Sequence, residues 1–246
     1  MIERINIYGL IFLVGIALSA WMWDRLIGRR QERDGRLIVI YFSALIGALL
    51  GAKIGFLLAE GWHYRGNWIA LLTGKTVLGA LLGGYAGVEI AKAKVHFKAP
   101  TGDLFAIIAP IGLMLGRVGC IAQGCCPGVE CPAGEWWAVH DAQGISRWPA
   151  AHAELTFNAL FLLWALLAAR YRILTGNRFH IYMIAYGLFR FGHEFARDNI
   201  TVIGPIGGYH LLALALAGLG AVRLVQRLRA HSAEHPKDGD LTFGHN

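Results

Sequence analysis

The sequence predicts an all-α, polytopic membrane protein of about seven transmembrane helices, with the N-terminus outside and the C-terminus cytoplasmic. Three observations predict it: apolar runs long enough to cross a bilayer, glycines that recur every fourth residue within them, and basic residues that gather in alternate loops. Of the 246 residues, 56% are hydrophobic and only 16% charged, whereas a soluble domain carries about 25% charge. A helix needs about 20 mostly apolar residues to cross the hydrocarbon core. Runs this long and this numerous exclude a soluble domain, because a water-facing surface has no place for them.

The runs are Ile5–Trp23, Leu37–Leu58, Thr76–Ala91, Gly102–Gln123, His152–Ala169, Phe179–Arg197 and Ile206–Val225. The first is followed by arginines, whereas a secretory signal carries its positive charge in front, so cleavage is not expected. The third is short and glycine-rich, and the sixth carries charges. Residues 1–226 are expected to form a single transmembrane domain. The polar tail, 227–246, is expected to be cytoplasmic and disordered.

The net charge of +7 invites a nucleic-acid partner, but the positions of the charges exclude one. Arg25, Arg29, Arg30, Arg33 and Arg36 lie in the first loop, Lys92, Lys94 and Lys98 in the third, Arg170, Arg172 and Arg178 in the fifth. Arg223, Arg227, Arg229 and Lys237 follow the last run, giving 15 of the 23 Lys and Arg residues on one side. The opposite flanks hold Arg4, Arg65, Lys75, Arg147 and Arg197. This is the positive-inside pattern with the N-terminus outside. It closes only with an odd number of spans, which supports the short third run. The basic surplus also suits anionic lipid headgroups. Lys53, Arg117 and Arg190 remain within the runs. Each costs about 2.5–3.5 kcal/mol at the bilayer centre, so each needs a bound anion, a partner carboxylate or a path to the interface.

Gly47, Gly51 and Gly55 share one face of the second run, Gly79, Gly83 and Gly87 one face of the third, and Gly112 and Gly116 one face of the fourth. Such strips allow close backbone approach in lipid, or leave a lipid-sized cavity. The segments from Gly47 (GALLGAKIG) and Gly79 (GALLGGYAG) agree at six of nine positions. A repeat of this kind also occurs in transporters of inverted symmetry.

Two polar constellations stand out. In the sixth run Tyr186, Arg190, His193, Glu194 and Arg197 fall on one helical face, and Arg190 and Glu194 are spaced to pair. A stripe this polar faces a cavity or other polar helices rather than lipid. It reads either as a register-setting ion pair or as an anion-binding wall. In the fourth, Arg117 precedes a glycine-rich exit, Gly116 to Gly128. There an arginine fork and the N–H groups of a turn would suit a phosphate, and the alternative is a snorkelling arginine at a helix end. Cys120, Cys125, Cys126 and Cys131 lack the paired spacing of a zinc site. No metal and no cofactor are expected; a disulfide from Cys125 or Cys126 to Cys131, or unpaired thiols, are. Trp136, Trp137 and Trp148 read as interfacial anchors or as a substrate-gripping loop.

From about Ile46 to Asp198 the order of these motifs resembles the prolipoprotein diacylglyceryl transferase family. Gly51-Ala-Lys53-Ile-Gly55-Phe56 is similar to its GxRxGY stretch. Asp103 through Pro110 to Gly128 is similar to its Asp–Pro–Leu-Gly run ending in GRxGNFxNGExxG, and Tyr186–Arg197 to its YGxxRFxxEFxR pattern. The sequence departs from the family at three places. Leu78 stands where the HGG histidine does, Cys120 replaces the GRxGN asparagine, and Trp148–Glu154 keeps only the Pro and Glu of HPxQLYE. The resemblance implies a bacterial inner-membrane enzyme that transfers diacylglyceryl from phosphatidylglycerol to the cysteine of a prolipoprotein lipobox. Membrane lipids are then its surroundings, and nucleic acid is no partner. It further implies that Arg117, Gly128, Lys53 and Arg197 bind the phospholipid. Arg190 would stabilise the leaving glycerol phosphate, with Tyr186 and Glu194 positioning the groups. Cys120, His152 or His193 are the residues available to replace the missing histidine. A different acceptor on the same fold, or a membrane transporter or lipid-binding protein, are the alternative readings.

Overall fold

The computed structural model describes residues 14, 15, 17–23, 34–126 and 128–234. Among them the chain is all-helical apart from one small hairpin. Residues 17–23 are helical; most of the first apolar run lies outside the described residues. Helix α1, Gly35–Phe56, starts at Asp34, whose carboxylate accepts from the Arg36 N–H at 2.9 Å, and continues through a π-helical turn, Leu57–Gly61. A short α2, Trp68–Thr73, is capped by Asn67, which accepts from the Ala70 N–H at 3.1 Å. Then come α3, Val77–Lys94, and α4, Gly102–Gln123. A two-stranded antiparallel hairpin, β1 (Val139–His140) with β2 (Ser146–Arg147), precedes α5, Ala150–Arg170. Helices α6, Arg178–Glu194, and α7, Gly208–Glu234, complete the fold.

Among the described residues, four helices are long and apolar enough to cross a membrane: Gly35–Gly61, Gly102–Gln123, Ala150–Arg170 and Gly208–Ala230. Helices α3 and α6, 18 and 17 residues long, fall short for physical reasons visible in the sequence. The last turns of α3 hold Glu89, Lys92 and Lys94, and α6 carries its polar stripe. The final helix runs on through 227–234, so the expected domain edge at 226 falls inside it.

The glycine strips of α1 and α3 are used for packing, whereas an added Cβ on Gly112 or Gly116 of α4 would meet nothing within 4 Å. The strip of α1 lies against that of α3: a Cβ on Gly47 or Gly51 would run into the carbonyl oxygen of Gly83 or Gly79, and one on Gly87 into that of Ser43. The two similar segments are therefore the two faces of one interface. Helices α4 and α5 pair likewise, as do α6 and α7, and α4 also meets α6. The core gathers Leu78, Ala106, Phe161, Tyr182, Met183 and Leu216. Outward-facing positions are apolar, among them Ile46, Leu49, Leu50, Leu160, Leu163 and Leu211, while Glu154, Asn158, Arg178, Arg190 and Glu194 are buried. Apolar outside and charged inside is the arrangement lipid selects.

Arg178, one of the loop arginines counted above, is itself buried. It donates from Nη1 to Asp103 at 2.9 Å and from Nε to the Ile173 carbonyl at 3.0 Å. The Asp103 carboxylate also accepts from the Gly176 N–H at 2.9 Å. One charged pair thus fastens the start of α4 to the start of α6.

Candidate functional site

The other end of the same helices converges on a carboxylate. Pro149 is the N-cap of α5, which begins immediately after it and carries Glu154 inward within its first turns. Glu154 is completely buried. Its Oε1 accepts from the Tyr186 hydroxyl at 2.6 Å and lies 3.0 Å from Arg117 Nη2; its Oε2 lies 3.0 Å from Arg190 Nη1 and 3.9 Å from Arg197 Nη1. Arg190 turns its second nitrogen to Glu194 at 2.6 Å, the pair one helical turn apart that the spacing predicts. The other Glu194 oxygen accepts from the Asn199 amide. Three helices and the segment after α6 thus meet at one ionic cluster.

Removing one partner of a buried pair leaves a charge uncompensated, at a cost of about 3–5 kcal/mol. Around Glu154 the pairing is arranged so that carboxylate is saturated and guanidinium is in surplus: three guanidiniums meet the two carboxylates Glu154 and Glu194. Arg190 Nε and Arg197 Nε and Nη1 find no hydrogen-bond partner among the described residues. Buried polar groups are ordinarily bonded, and unbonded guanidinium donors suit an anion. The Arg117 and Arg197 side chains are 11% and 15% exposed, so both reach the rim of the cluster. Glu60, in the π-helical turn that follows α1, is buried and accepts from the Tyr209 hydroxyl at 3.1 Å.

The Trp148 indole donates to His193 Nε2 at 3.2 Å, and the His193 ring stacks on Phe189. Trp148 therefore joins the wall of the site, with Trp137 packed 5.2 Å from it, while Trp136 projects into the surroundings. Asp141 and Arg147 brace the hairpin at 2.8 Å. The Arg147 guanidinium, helped by the Ile145 N–H, holds the Asp141 carboxyl below the usual range.

Of the residues the sequence singled out, Arg117, Tyr186, Arg190, Glu194 and Arg197 come together. Gly128 joins them through backbone alone. Its N–H bonds to the Trp148 carbonyl at 3.0 Å, and a Cβ there would meet the Ala196 carbonyl oxygen at 2.6 Å and Trp148 Cβ at 2.7 Å. Lys53 is apart from the cluster, its amine 3.5 Å from the Gly74 carbonyl and over the Phe56 ring. The anion-binding turn expected after Arg117 is not available as such: the N–H groups of Gly124, Cys125, Gly128 and Val129 are bonded to the carbonyls of Ile121, Cys120, Trp148 and Ala196. The expected disulfide to Cys131 is likewise not formed. All four thiols are free, and the Cys131 backbone is tied instead to Ser146. Leu78 is fully buried in the core.

Sequence reasoning did not nominate Glu154 as a site residue. Its signal was present, since it is the one carboxylate in the fifth apolar run and the Glu retained in the Trp148–Glu154 segment. An apolar cavity of about 320 Å³, lined by Ala44, Ala48, Leu81, Gly112 and Gly116 among others, runs along α4 to the residue before Arg117.

A family model described as prolipoprotein diacylglyceryl transferase matches residues 2–226. The phosphatidylglycerol–prolipoprotein diacylglyceryl transferase of Stenotrophomonas maltophilia is 30% identical, with 92% of this chain and 89% of that protein covered. The protein of the same description from Geobacter sulfurreducens is 32% identical over 82% of this chain and 81% of its own. The one from Rhodospirillum rubrum is 28% identical over 90% and 88%.

Proposed function

The chain belongs to the prolipoprotein diacylglyceryl transferase family, and from that premise we propose that it moves the diacylglyceryl group of phosphatidylglycerol onto the lipobox cysteine of a prolipoprotein. The reaction would run at the outer face of the bacterial inner membrane. There the chain would form one domain of seven spans, its N-terminus outside, as the alternating basic loops suggest.

The observation that carries the reading is the surplus of buried guanidinium around Glu154. In this mechanism the acyl chains lie in the apolar cavity beside Gly116, and the phosphate meets Arg117 and Arg197 at the rim. The sulfur of the acceptor thiolate attacks the terminal glyceryl carbon. The carbon–oxygen bond to phosphate breaks, its electron pair stays on the phosphate, and glycerol phosphate leaves. Arg190 stabilises that developing charge in a water-poor site, where a fixed guanidinium is worth most. Glu154 restrains Arg117 and Arg190 so that neither must reorganise, and Tyr186 and Glu194 hold the other sides of the same arrangement. Gly128 acts by letting the loop close on the segment of Arg197. Lys53, whose bond to the Gly74 carbonyl is long at 3.5 Å, meets the lipid as it approaches beside α1.

A different acceptor is the second reading, favoured by the aliphatic, fully buried Leu78. One assay separates the two. Purified protein is given phosphatidylglycerol and a lipobox peptide, and peptide mass and released glycerol phosphate are read, with Arg190→Lys as control. A diacylglyceryl mass increase that falls in the control supports the proposal. Glycerol phosphate without peptide modification supports another acceptor. Lipid binding with neither product overturns the transfer reading and leaves a transport or lipid-binding role.

A further inference from the structure

Four cysteines fall between residues 120 and 131, and the reaction above uses none of them. Their spacing gives no metal motif, but the fold supplies what the spacing lacks. Helix α4 ends on Gly124 in the left-handed conformation (φ 61°), and the Cys125 N–H returns to the Cys120 carbonyl at 3.1 Å. The chain doubles back over its last helical turn, bringing Cys125 and Cys126 above Cys120. Cys126 also holds a positive φ of 61°, unusual for a residue with a Cβ. As a result the sulfurs of Cys120, Cys125 and Cys126 all lie within 4.8 Å of one another, those of Cys125 and Cys126 at 3.3 Å, with no disulfide between them.

Ordinary packing does not explain the group. Buried thiols act as small hydrophobes, but Cys126 is exposed and the other two are only half-buried. Metal geometry does explain it. Three thiolates each about 2.3 Å from one ion stand about 4 Å apart, so the sulfurs need only small side-chain adjustments to close on it. A cation is also at hand: Arg117 Nη1 is 3.7 Å from the Cys120 sulfur, and a neighbouring cation favours the thiolate, which is the ligand form. An all-sulfur donor set selects soft ions and excludes magnesium and calcium. Cys131 lies outside the group.

We propose that Cys120, Cys125 and Cys126 form a three-thiolate site for a soft closed-shell cation, Zn(II) or Cu(I), at the end of α4 beside Arg117. A fourth ligand reaches the ion on the exposed side of Cys126, as in zinc sites with three protein ligands.

The test uses the full-length chain, purified in detergent under reducing, oxygen-free conditions, and does not depend on transferase activity. Zn(II) and Cu(I) are titrated separately, Cd(II) serves as the probe of thiolate-to-metal charge transfer, and Mg(II) is the hard-ion control. Wild type and Cys131→Ser should each retain about one soft ion per chain and show the Cd(II) band. Cys126→Ser and Cys125→Ser should lose the band and bind more than about tenfold more weakly, since even outer-shell partners are worth that much. Elution volume and helical circular dichroism confirm that each variant is folded. The proposal is overturned if wild type retains neither ion, if Mg(II) binds equally, if the two variants bind like wild type, or if Cys131→Ser loses the band as they do.

Discussion

At the scale of single residues, Glu154 organises the site, and its replacement is the most informative change. Glu154→Ala leaves Arg117 without its carboxylate and Arg190 with Glu194 alone. It should cost about 3–5 kcal/mol of stability, read as a lowered Tm in detergent, together with lost transfer. Arg117→Ala should behave differently: the chain still inserts and the Glu154–Arg190 pair survives, but phosphatidylglycerol binding, followed by isothermal calorimetry, is abolished. Arg117 and Arg190 were legible because a charge inside an apolar run demands an explanation. Glu154 was not, because a carboxylate near the start of such a run reads as interfacial; only the fold shows it enclosed by two neighbouring helices. Asp141 offers a pH test. Its native pKa is depressed, chiefly by the Arg147 hydrogen bond. The bond's contribution is therefore complete above the ordinary carboxylate value of about 4 and is lost as pH falls through the lower native value. The exchange protection factors of the Gln143 and Ile145 amides, whose N–H groups both bond to Asp141 Oδ1 at 2.9 Å, should fall over that descent and remain flat from pH 5 to 8.

Among elements, the α1–α3 contact is the most sharply specified. The backbone of each helix occupies the space a Cβ of the other would need. Gly83→Leu should destabilise by at least the 1–3 kcal/mol typical of overpacking, about the upper end or beyond. Gly112→Ala, with nothing within 4 Å of its added carbon, should stay within about 0.5 kcal/mol. Thermal unfolding of the two variants side by side checks the contrast. The four-residue period made the strips legible. Which strip meets which was not, because glycine carries no side chain by which to recognise a partner. The shared letters of the two segments, which admitted a transporter-like repeat, reflect a common need for closeness across one interface.

For the whole molecule, charge is concentrated at two depths. Asp103 with Arg178 fastens α4 to α6 at one end, and Glu154 with Arg117 and Arg190 does so at the other. The two can be separated experimentally. Asp103→Ala should lower Tm by breaking a buried pair worth about 3–5 kcal/mol, while the phosphatidylglycerol Kd of the folded fraction stays unchanged. The helical class was legible from composition, and the glycines and cysteines marked where helices approach or end. The Asp103–Arg178 clamp was hidden, because Arg178 follows a turn and counts as one more loop charge until the turn folds under the helix ends. The extension of α7 to Glu234 was hidden for a related reason: a polar stretch continuing an apolar helix shows no change in backbone preference.

The crossing at Gly128 has a mechanical meaning. The chain leaving α4, the chain entering α5 and the chain leaving α6 touch there main chain to main chain, joined from Gly128 to Trp148, from Trp148 to Val129 and from Val129 to Ala196 at 2.9–3.0 Å. A junction with no side-chain cushion and three mutual bonds behaves as a rivet: its members turn together or not at all. In the proposed reaction, the widening that admits a lipid would then come from the unriveted flank, where α1 and α3 border the apolar cavity, so that the lipid would arrive from the side of the helices rather than along them.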